Sequence, residues 1–309
     1  MGQISTTLND EILQKMQYFY EGQMEHAPQG AIFRARTNNA VITAYKSGKV
    51  LFQGANAEEE ASIWTTFQGE TTQKNMAKKA TNPYTPKQDF FQKSHIGSDE
   101  SGTGDYFGPV TAAAVYVPDT LIPVLKKMGI QDSKAIKDDT IERLAHELMD
   151  VQIHYSLMTI SNDKYNQLQR RGWSQGKMKA MIHHGVITSL LQKMGTTPYE
   201  GILIDQFCMP HMYKRHIESE GNALLPHTYF MTKAENASIA VAAGSVLARY
   251  RYVKEMDRLS ELVGFSLQKG ASKKVDQQIA KIIHEHGKAY LENIAKVHFA
   301  NTKKAEQYL

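Results

Sequence analysis

Residues 97–109 read Gly-Ser-Asp-Glu-Ser-Gly-Thr-Gly-Asp-Tyr-Phe-Gly-Pro, the most informative segment of this chain. Two adjacent carboxylates, Asp99 and Glu100, stand in a cluster of glycines. Glycine permits positive φ and close approach of a ligand to the main chain, and carboxylates are the hard oxygen ligands that Mg²⁺ or Mn²⁺ prefers. The pattern predicts a metal-binding active site at the end of a strand. An acidic surface turn is the alternative, because Asp-Glu beside glycine is common in loops.

A third carboxylate, Asp205, ends the apolar run at 202–204. A charge at the end of a buried strand is costly unless it is ligated or paired, so Asp99 and Asp205 are better explained as metal ligands than as surface side chains. Successive strand residues point to opposite faces, so Asp99 and Glu100 can share one site only if regular pairing stops between them. We therefore predict Asp99, Glu100 and Asp205 as metal ligands.

Further motifs follow these carboxylates in a fixed order. They are Asp-Ser-Lys at 132–134, Ile-Leu-Ile-Asp at 202–205, Lys-Ala-Glu at 233–235 and Ser-Ile-Ala-Val-Ala-Ala-Gly-Ser-Val-Leu-Ala-Arg at 238–249. With residues 97–104 they resemble the type 2 ribonuclease H family. Within that family the chain resembles ribonuclease HIII, because Gly-Thr-Gly at 102–104 stands where ribonuclease HII enzymes carry Gly-Arg-Gly, and because a separate N-terminal region precedes the motif.

The resemblance implies an endonuclease that hydrolyses the RNA strand of RNA–DNA hybrids. It implies two Mg²⁺ or Mn²⁺ ions and products with 3′-hydroxyl and 5′-phosphate ends. It also implies a catalytic set of four carboxylates, Asp99, Glu100, Asp205 and Glu235. Glu235 also has a structural explanation, because the helix dipole stabilises an acid in the first turn of a helix without any catalytic role. Two less attractive acids lie farther along that helix, Glu255 and Asp257.

Several residues are expected to bind the substrate. The resemblance assigns Gly102, Thr103 and Gly104 to contacts with 2′-hydroxyls in the wide minor groove of an A-like hybrid. Ser133 and Lys134 belong to the Asp-Ser-Lys motif, and the lysine suits a phosphate contact. Because the HII arginine is missing, we expect a preference for runs of RNA over a single embedded ribonucleotide.

Residues 1–68 predict a small N-terminal α+β domain. The resemblance implies that this domain is similar to one half of a TATA-binding protein and that it binds the substrate. An open sheet face could attract phosphates and stack on bases. Alternatively, Arg34 and Arg36 only solvate the outer face of a strand. The candidate contacts are Arg34, Arg36, Tyr45, Lys46 and Phe52. Hydrophobic periodicity and a Ser-Gly turn predict helices at 7–24 and 55–67 and strands at 31–37, 41–46 and 49–53.

Residues 69–93 are polar and proline-interrupted and predict a linker. Residues 94–309 then alternate between strands and helices, which predicts a mixed sheet flanked by helices, the ribonuclease H-like arrangement. We expect strands at 94–99, 110–117, 153–160, 202–207 and 227–231, and helices at 138–149, 174–194, 237–256, 273–286 and 287–296.

Composition limits the remaining choices. The net charge of +4 is a weak indication of an anionic partner, and the one cysteine, Cys208, excludes an internal disulfide. No apolar run approaches the ~20 residues that span a membrane, so we expect a cytoplasmic protein. We also expect a monomer. A noncatalytic hybrid- or duplex-binding protein and another nuclease or strand transferase of the same superfold remain alternatives. A zinc hydrolase is disfavoured by the scattered spacing of its candidate ligands, His183, His184, His211 and His216.

Overall fold

The computed structural model describes residues 2–37, 40–54, 56–72, 83–130 and 136–309, without the side chains of 66–72. The chain forms two compact units. One comprises Met1–Ala80 with Phe207–Tyr213, and the other Thr81–Gln206 with Lys214–Leu309. Each unit contains a five-stranded sheet in its described part.

The sheet of the N-terminal unit is antiparallel, in the order β1-β5-β4-β3-β2. The prediction missed β1 and β2 and began the first helix too early. Asn9 sets the true start, because its side chain accepts a hydrogen bond from the Ile12 backbone N–H at 2.9 Å. The elements are β1 (Gly2–Thr7), α1 (Asp10–Phe19), β2 (Met24–Glu25), β3 (Ala31–Arg36), β4 (Val41–Tyr45), β5 (Lys49–Gly54) and α2 (Ala57–Thr72).

One face of this sheet packs against α1 and α2. Alternate strand residues such as Phe33, Ile42 and Phe52 join Met16 and Trp64 in a continuous apolar core. The register then assigns the intervening residues, including Arg34, Thr43 and Leu51, to the opposite face. The N-terminal unit therefore has one helix-covered face and one face that no helix of that unit covers among its described residues.

The second unit holds a mixed sheet in the order β10-β9-β6-β7-β8. Strands β6, β7 and β8 pair antiparallel, whereas β6, β9 and β10 run parallel. The predicted fold class, a mixed sheet flanked by helices beside a small α+β domain, is confirmed. The strands are β6 (His95–Ser101), β7 (Val110–Val117), β8 (Tyr155–Ile160), β9 (Ile202–Asp205) and β10 (Thr228–Met231).

Helices cover both faces of the mixed sheet. Gly97 and Ser98 show this directly, because Gly97 faces Val241 on α8 while Ser98 contacts His183 on α6. The predicted last helix at 287–296 is instead a 3-10 helix, Lys288–Asn293, and α3, α5, α7 and α10 were not predicted. The helices are α3 (Ile122–Lys127), α4 (Asp138–Asp150), α5 (Asn162–Arg170), α6 (Gln175–Met194), α7 (Pro210–Glu218), α8 (Ile239–Val263), α9 (Lys273–His286) and α10 (Asn301–Lys304).

The predicted linker, residues 69–93, is only partly described. Its first residues continue α2 to Thr72, and its last ones include a 3-10 helix, Gln88–Gln92, with Phe90 buried. Residues 73–82 lie outside the described part, so the linker stays a prediction. Across the described residues, no helix is both long and apolar enough to span a bilayer.

Candidate active site

Strand β6 carries the two adjacent carboxylates without interruption. Its antiparallel pairing with β7 continues through Asp99, Glu100 and Ser101, so the expected break between Asp99 and Glu100 is wrong. On the other side, the parallel pairing with β9 extends only to Ser98 and Ile204. Asp99 and Glu100 therefore point to opposite faces of the sheet, beside the place where its pairing with β9 ends.

Asp99 lies on the α8 side and is 3% exposed. Its Oδ1 accepts a hydrogen bond from the Glu100 backbone N–H at 2.7 Å, whereas its Oδ2 accepts none from a described residue. Burial raises the pKa of Asp99 well above its usual value, the charges of Glu100 and Asp205 raise it further, and the Ser245 hydroxyl opposes them. A buried carboxylate with an unused oxygen beside two other acids is poised to take a cation.

Asp205 is the last residue of β9, and the parallel register places it next to Asp99. Its Oδ1 accepts a hydrogen bond from the Ala234 backbone N–H at 2.9 Å. The residue after Ala234 is Glu235, which is 5% exposed and lies in a short 3-10 helix, Ala234–Asn236. Since the N-cap of α8 is Ser238, Glu235 is not in the first turn of that helix, and the helix dipole does not explain its position.

Glu100 lies on the α6 side, where two residues one helical turn apart hold its carboxylate. Lys179 Nζ is 2.5 Å from Oε1, and His183 Nε2 is 2.8 Å from Oε2. Burial alone would raise the pKa of Glu100, but the Lys179 ammonium and the His183 hydrogen bond lower it to about 2. Glu100 is therefore ionised while its neighbour Asp99 resists ionisation.

The carboxylates suit a hard divalent cation in their chemistry, but their side chains do not form a complete coordination site. Within the described ranges, no three His, Cys, Asp or Glu side chains are gathered closely enough to hold a metal ion. Asp99, Glu100 and Asp205 nevertheless interact electrostatically, and one oxygen of Asp99 accepts no hydrogen bond from a described residue. Carboxylate oxygens are the ligand type that Mg²⁺ or Mn²⁺ prefers, so the chemistry of these acids suits such an ion.

The glycine-rich loop follows the carboxylates directly. Gly102 has φ of +85°, and a Cβ there would lie 2.3 Å from the Pro109 carbonyl oxygen, so only glycine fits. Gly104 is exposed and a Cβ there would meet nothing within 4 Å. Between them, the Thr103 carbonyl accepts a hydrogen bond from Gln175 Nε2 at 2.8 Å. The loop is thus fixed at Gly102 and Thr103 and open to a ligand at Gly104.

Other predicted residues have different outcomes. Ser133 and Lys134 lie outside the described residues. Glu255, an alternative fourth carboxylate, forms ion pairs with Arg251 and Arg258 on its own helix. The alternative zinc ligands are not gathered either: none of His183, His184, His211 and His216 takes part in a set of three ligands within the described residues.

The N-terminal candidates separate by face. Phe52 is 0% exposed in the helix-covered core, so its assignment as a substrate contact is wrong. Arg34 and Arg36 form ion pairs with Glu25, which offsets part of their charge and favours the solvated-strand alternative. Tyr45 and exposed Lys46 instead line a shallow depression of about 480 Å³. Its other lining residues are Gln3, Gly30, Ser47, Lys49 and Leu51.

The sequence interpretation missed several residues of the site. Lys179 and His183 could have been found from their four-residue spacing on a helix expected to cover the sheet. Gln175 contacts the glycine-rich loop through one hydrogen bond, and Ser245 contacts Asp99 through another. No sequence pattern marks contacts of that kind, because they depend on how α6 and α8 pack on the sheet.

Two family models match successive parts of the chain. A family model described as Ribonuclease HII matches residues 96–302, which span β6, the glycine-rich loop, β9 and α8. The chain belongs to the ribonuclease HII family. A second model, a domain of unknown function (DUF3378), matches residues 3–82. The family match covers all four predicted catalytic carboxylates.

Relatives of this ribonuclease HII family member are similar over nearly the whole chain. A ribonuclease HIII from Oceanobacillus iheyensis is 51% identical over 307 residues, 99% of each chain. One from Bacillus subtilis is 45% identical over 296 residues, 96% of this chain and 94% of the relative. A solved structure of Bst-RNase HIII in complex with Mn²⁺ is 37% identical, covers 99% of each chain and has a TM-score of 0.70. The predicted resemblance to ribonuclease HIII is confirmed, and the chain is an endonuclease of the ribonuclease H type.

Proposed function

We propose that this ribonuclease hydrolyses the RNA strand of RNA–DNA hybrids and that Asp99, Glu100, Asp205 and Glu235 form its catalytic centre. The observation that carries the proposal is the position of Asp99, Glu100 and Asp205 at the adjacent ends of β6 and β9, where Asp99 interacts with the charges of the other two acids, directly before the glycine-rich loop. A pure binding protein would gain nothing from concentrated negative charge beside phosphates. Such charge is useful where divalent ions must be held against a phosphodiester.

The metal requirement follows from the donor set. Asp99, Glu100 and Asp205 would hold Mg²⁺ or Mn²⁺, and a relative has been solved with Mn²⁺. Two such ions would activate water and stabilise the departing 3′ oxygen, which gives 3′-hydroxyl and 5′-phosphate ends. Glu235, buried beside the Asp205 contact at Ala234, is the proposed fourth carboxylate.

The substrate class is supported by the glycine-rich loop. Gly104 presents open main chain, and Gln175 Nε2 donates a hydrogen bond to the preceding carbonyl, that of Thr103. A turn with glycine at its exposed position can approach 2′-hydroxyls in the wide minor groove of a hybrid. Gly102, Thr103 and Gly104 are the proposed recognition residues, with Ser133 and Lys134 proposed for a phosphate.

The N-terminal unit is proposed to add sequence-independent affinity. Tyr45, Lys46 and Lys49 combine an aromatic ring and two ammonium groups on one depression, which suits a nucleic-acid backbone. A cytoplasmic location and a monomeric state, both expected from the sequence, stay predictions that light scattering and fractionation can check.

The substrate assignment is tested by cleavage of an end-labelled RNA–DNA hybrid, with matched DNA duplex and single-stranded RNA, in Mg²⁺ or Mn²⁺ and in chelator. We expect cutting of the RNA strand in the hybrid alone, only with metal, and 3′ ends that a polymerase can extend. Tight hybrid binding without cutting under any metal would contradict the proposal in favour of a binding protein. Cutting of the DNA duplex would instead indicate another nuclease.

A further inference from the structure

The side chain of Glu100 is held on both of its oxygens by one helix. Lys179 contacts Oε1 and His183 contacts Oε2, and these two residues are four apart on α6. All three side chains are shielded, since the exposed fractions are 11% for Glu100, 14% for Lys179 and 0% for His183. An ammonium group so close to a shielded carboxylate interacts with it far more strongly than a surface pair does.

His183 is itself oriented by the sheet. The Ser98 hydroxyl has one hydrogen, which it donates to the Ala113 carbonyl at 2.9 Å. Its oxygen also lies 2.7 Å from His183 Nδ1, and this hydrogen bond orients the imidazole ring. This contact turns Nε2 of the ring toward Glu100. The carboxylate thus has a fixed direction, and Lys179 supplies a full positive charge at its other oxygen.

That positive charge sits where the carboxylate cluster needs compensation. Asp99 is flanked by the charges of Glu100 and Asp205, and their repulsion disfavours the ionised form of Asp99. Without a nearby cation, the three acids would repel one another at the end of the strands. The ammonium of Lys179 relieves part of that repulsion through Glu100.

We propose that Lys179 is a resident counter-cation of the carboxylate cluster, which competes with divalent cations for the charge of Glu100. The inference rests on the proposed metal-dependent function. Two cations that neutralise the same carboxylate must weaken each other's binding by equal amounts. Lys179 is then a positioning residue that keeps the site ordered without metal and lowers its affinity for metal.

The test is calorimetric titration of Mn²⁺ into the full chain and its variants at fixed pH and ionic strength. Lys179→Met keeps an unbranched side chain of similar length and removes the charge, so we expect Mn²⁺ to bind at least about tenfold more tightly. The metal-free variant should also melt at a lower temperature than the wild type and gain more from Mn²⁺. Unchanged Mn²⁺ affinity in Lys179→Met would overturn the inference.

Lys177 provides a matched control on the same helix. It is 18% exposed, its ammonium is 2.6 Å from Glu220, and it lies over the Trp173 ring. Lys177→Met should bind Mn²⁺ like the wild type, and an equal gain there would contradict a specific role for Lys179. Lys179→Arg retains the charge and should also behave like the wild type. If Lys179→Met does not fold, Lys179→Gln takes its place.

Asp205→Asn separates this inference from the proposed function. If Mn²⁺ binds the wild type and Asp205→Asn equally, the carboxylate assignment fails, and the Lys179 inference fails with it. If Asp205→Asn loses binding while Lys179→Met binds like the wild type, only the Lys179 inference is overturned. Tighter binding by Lys179→Met together with loss in Asp205→Asn supports both.

Discussion

At the scale of single residues, the site depends on how two neighbouring glycines differ. Gly102 is required by the backbone, because its φ is positive and a Cβ would collide with the Pro109 carbonyl. Gly104 has open space around it and an ordinary φ, so folding does not require glycine there. The proposed close approach of substrate to Gly104 would account for a glycine that the fold does not need.

Gly104→Ala therefore separates recognition from folding. We expect the variant to melt at or slightly above the wild-type temperature, because alanine restricts the unfolded chain. Its KM for a hybrid should rise, since the new methyl group occupies the surface offered to the minor groove. Thermal unfolding and steady-state cleavage check both expectations. A variant that cleaves hybrids with the wild-type KM would remove Gly104 from the recognition surface, and Gly102→Ala should fail already at folding.

Lys296 predicts a pH dependence of stability. It is fully buried and donates hydrogen bonds to the carbonyls of Asp105 at 2.8 Å and Gly108 at 2.5 Å. Burial lowers the pKa of Lys296 to about 7, although the charge of Asp105 opposes the shift. The unfolded chain keeps the ordinary value of about 10.4, so it binds more protons than the folded chain between these values.

The free energy of unfolding should therefore rise with pH from about 7 to about 10. The stability gained in this range is lost as the pH falls to about 7, and below that pH Lys296 is protonated in both states and adds no slope. Denaturant unfolding of the wild type and Lys296→Met across that range measures it. The difference between the two proteins should change steadily with pH. Parallel curves would show that the buried ammonium does not titrate in this window.

At the scale of elements, close packing of α8 on β6 fixes the carboxylates. A Cβ on Gly97 would lie 2.1 Å from the Val241 backbone nitrogen and 2.3 Å from the Ala240 carbonyl carbon. The helix backbone therefore rests directly on the strand that carries Asp99, and it brings the Ser245 hydroxyl to that acid. The small residues of α8 are explained by this approach, without a ligand role of their own.

Gly97→Ala should force α8 away from the sheet. The clash is with backbone atoms, which cannot rotate aside, so we expect destabilisation of about 1–3 kcal/mol or more. Gly244→Ala is the control from the helix side, because its Cβ would sit 3.4 Å from the nearest atoms, an ordinary contact. Chemical denaturation of both variants measures the difference. Equal stability of the two would contradict direct helix-on-strand packing.

At the scale of the whole molecule, the basic side chains differ in whether an acid of the same unit holds them. In the N-terminal unit, Lys46 and Lys49 line the depression beside Tyr45, whereas Arg34 and Arg36 are paired with Glu25. In the second unit, Lys179 is engaged by Glu100. Exposed lysines such as Lys46 and Lys49 can exchange counterions for phosphates.

The double variant Lys46→Ala/Lys49→Ala should weaken hybrid binding and flatten its salt dependence. Each lost phosphate contact lowers the slope of log affinity against log salt by about 1. Binding isotherms at several salt concentrations measure the slope, and kcat should be retained. Lys15→Ala is the control, since Lys15 lies on α1, on the helix-covered side of the same unit, and pairs with Glu11. An equal loss in both proteins would show that the depression has no special role.

Much of this organisation could be predicted from the sequence. Periodicity located α4, α6 and most strands of the mixed sheet, and the order of the motifs identified the family. The predictions that were wrong concern features that depend on three-dimensional contacts. The burial of Phe52 follows from strand register, and the continuation of β6 through Glu100 follows from its pairing with β7. The four-residue spacing of Lys179 and His183 indicates one face of α6, but their contact with Glu100 forms only when α6 packs on the sheet, so the sequence does not reveal the partner.

The measurement that tests the carboxylate centre most directly is single-turnover cleavage of a labelled hybrid by wild type and Asp205→Asn, with hybrid binding measured in parallel. Asparagine can still accept the hydrogen bond from Ala234, so the fold and hybrid affinity should persist. Cleavage should fall at least about a hundredfold, because several kcal/mol of charge stabilisation are lost. Cleavage at the wild-type rate by a correctly folded Asp205→Asn would contradict the assignment of the catalytic centre.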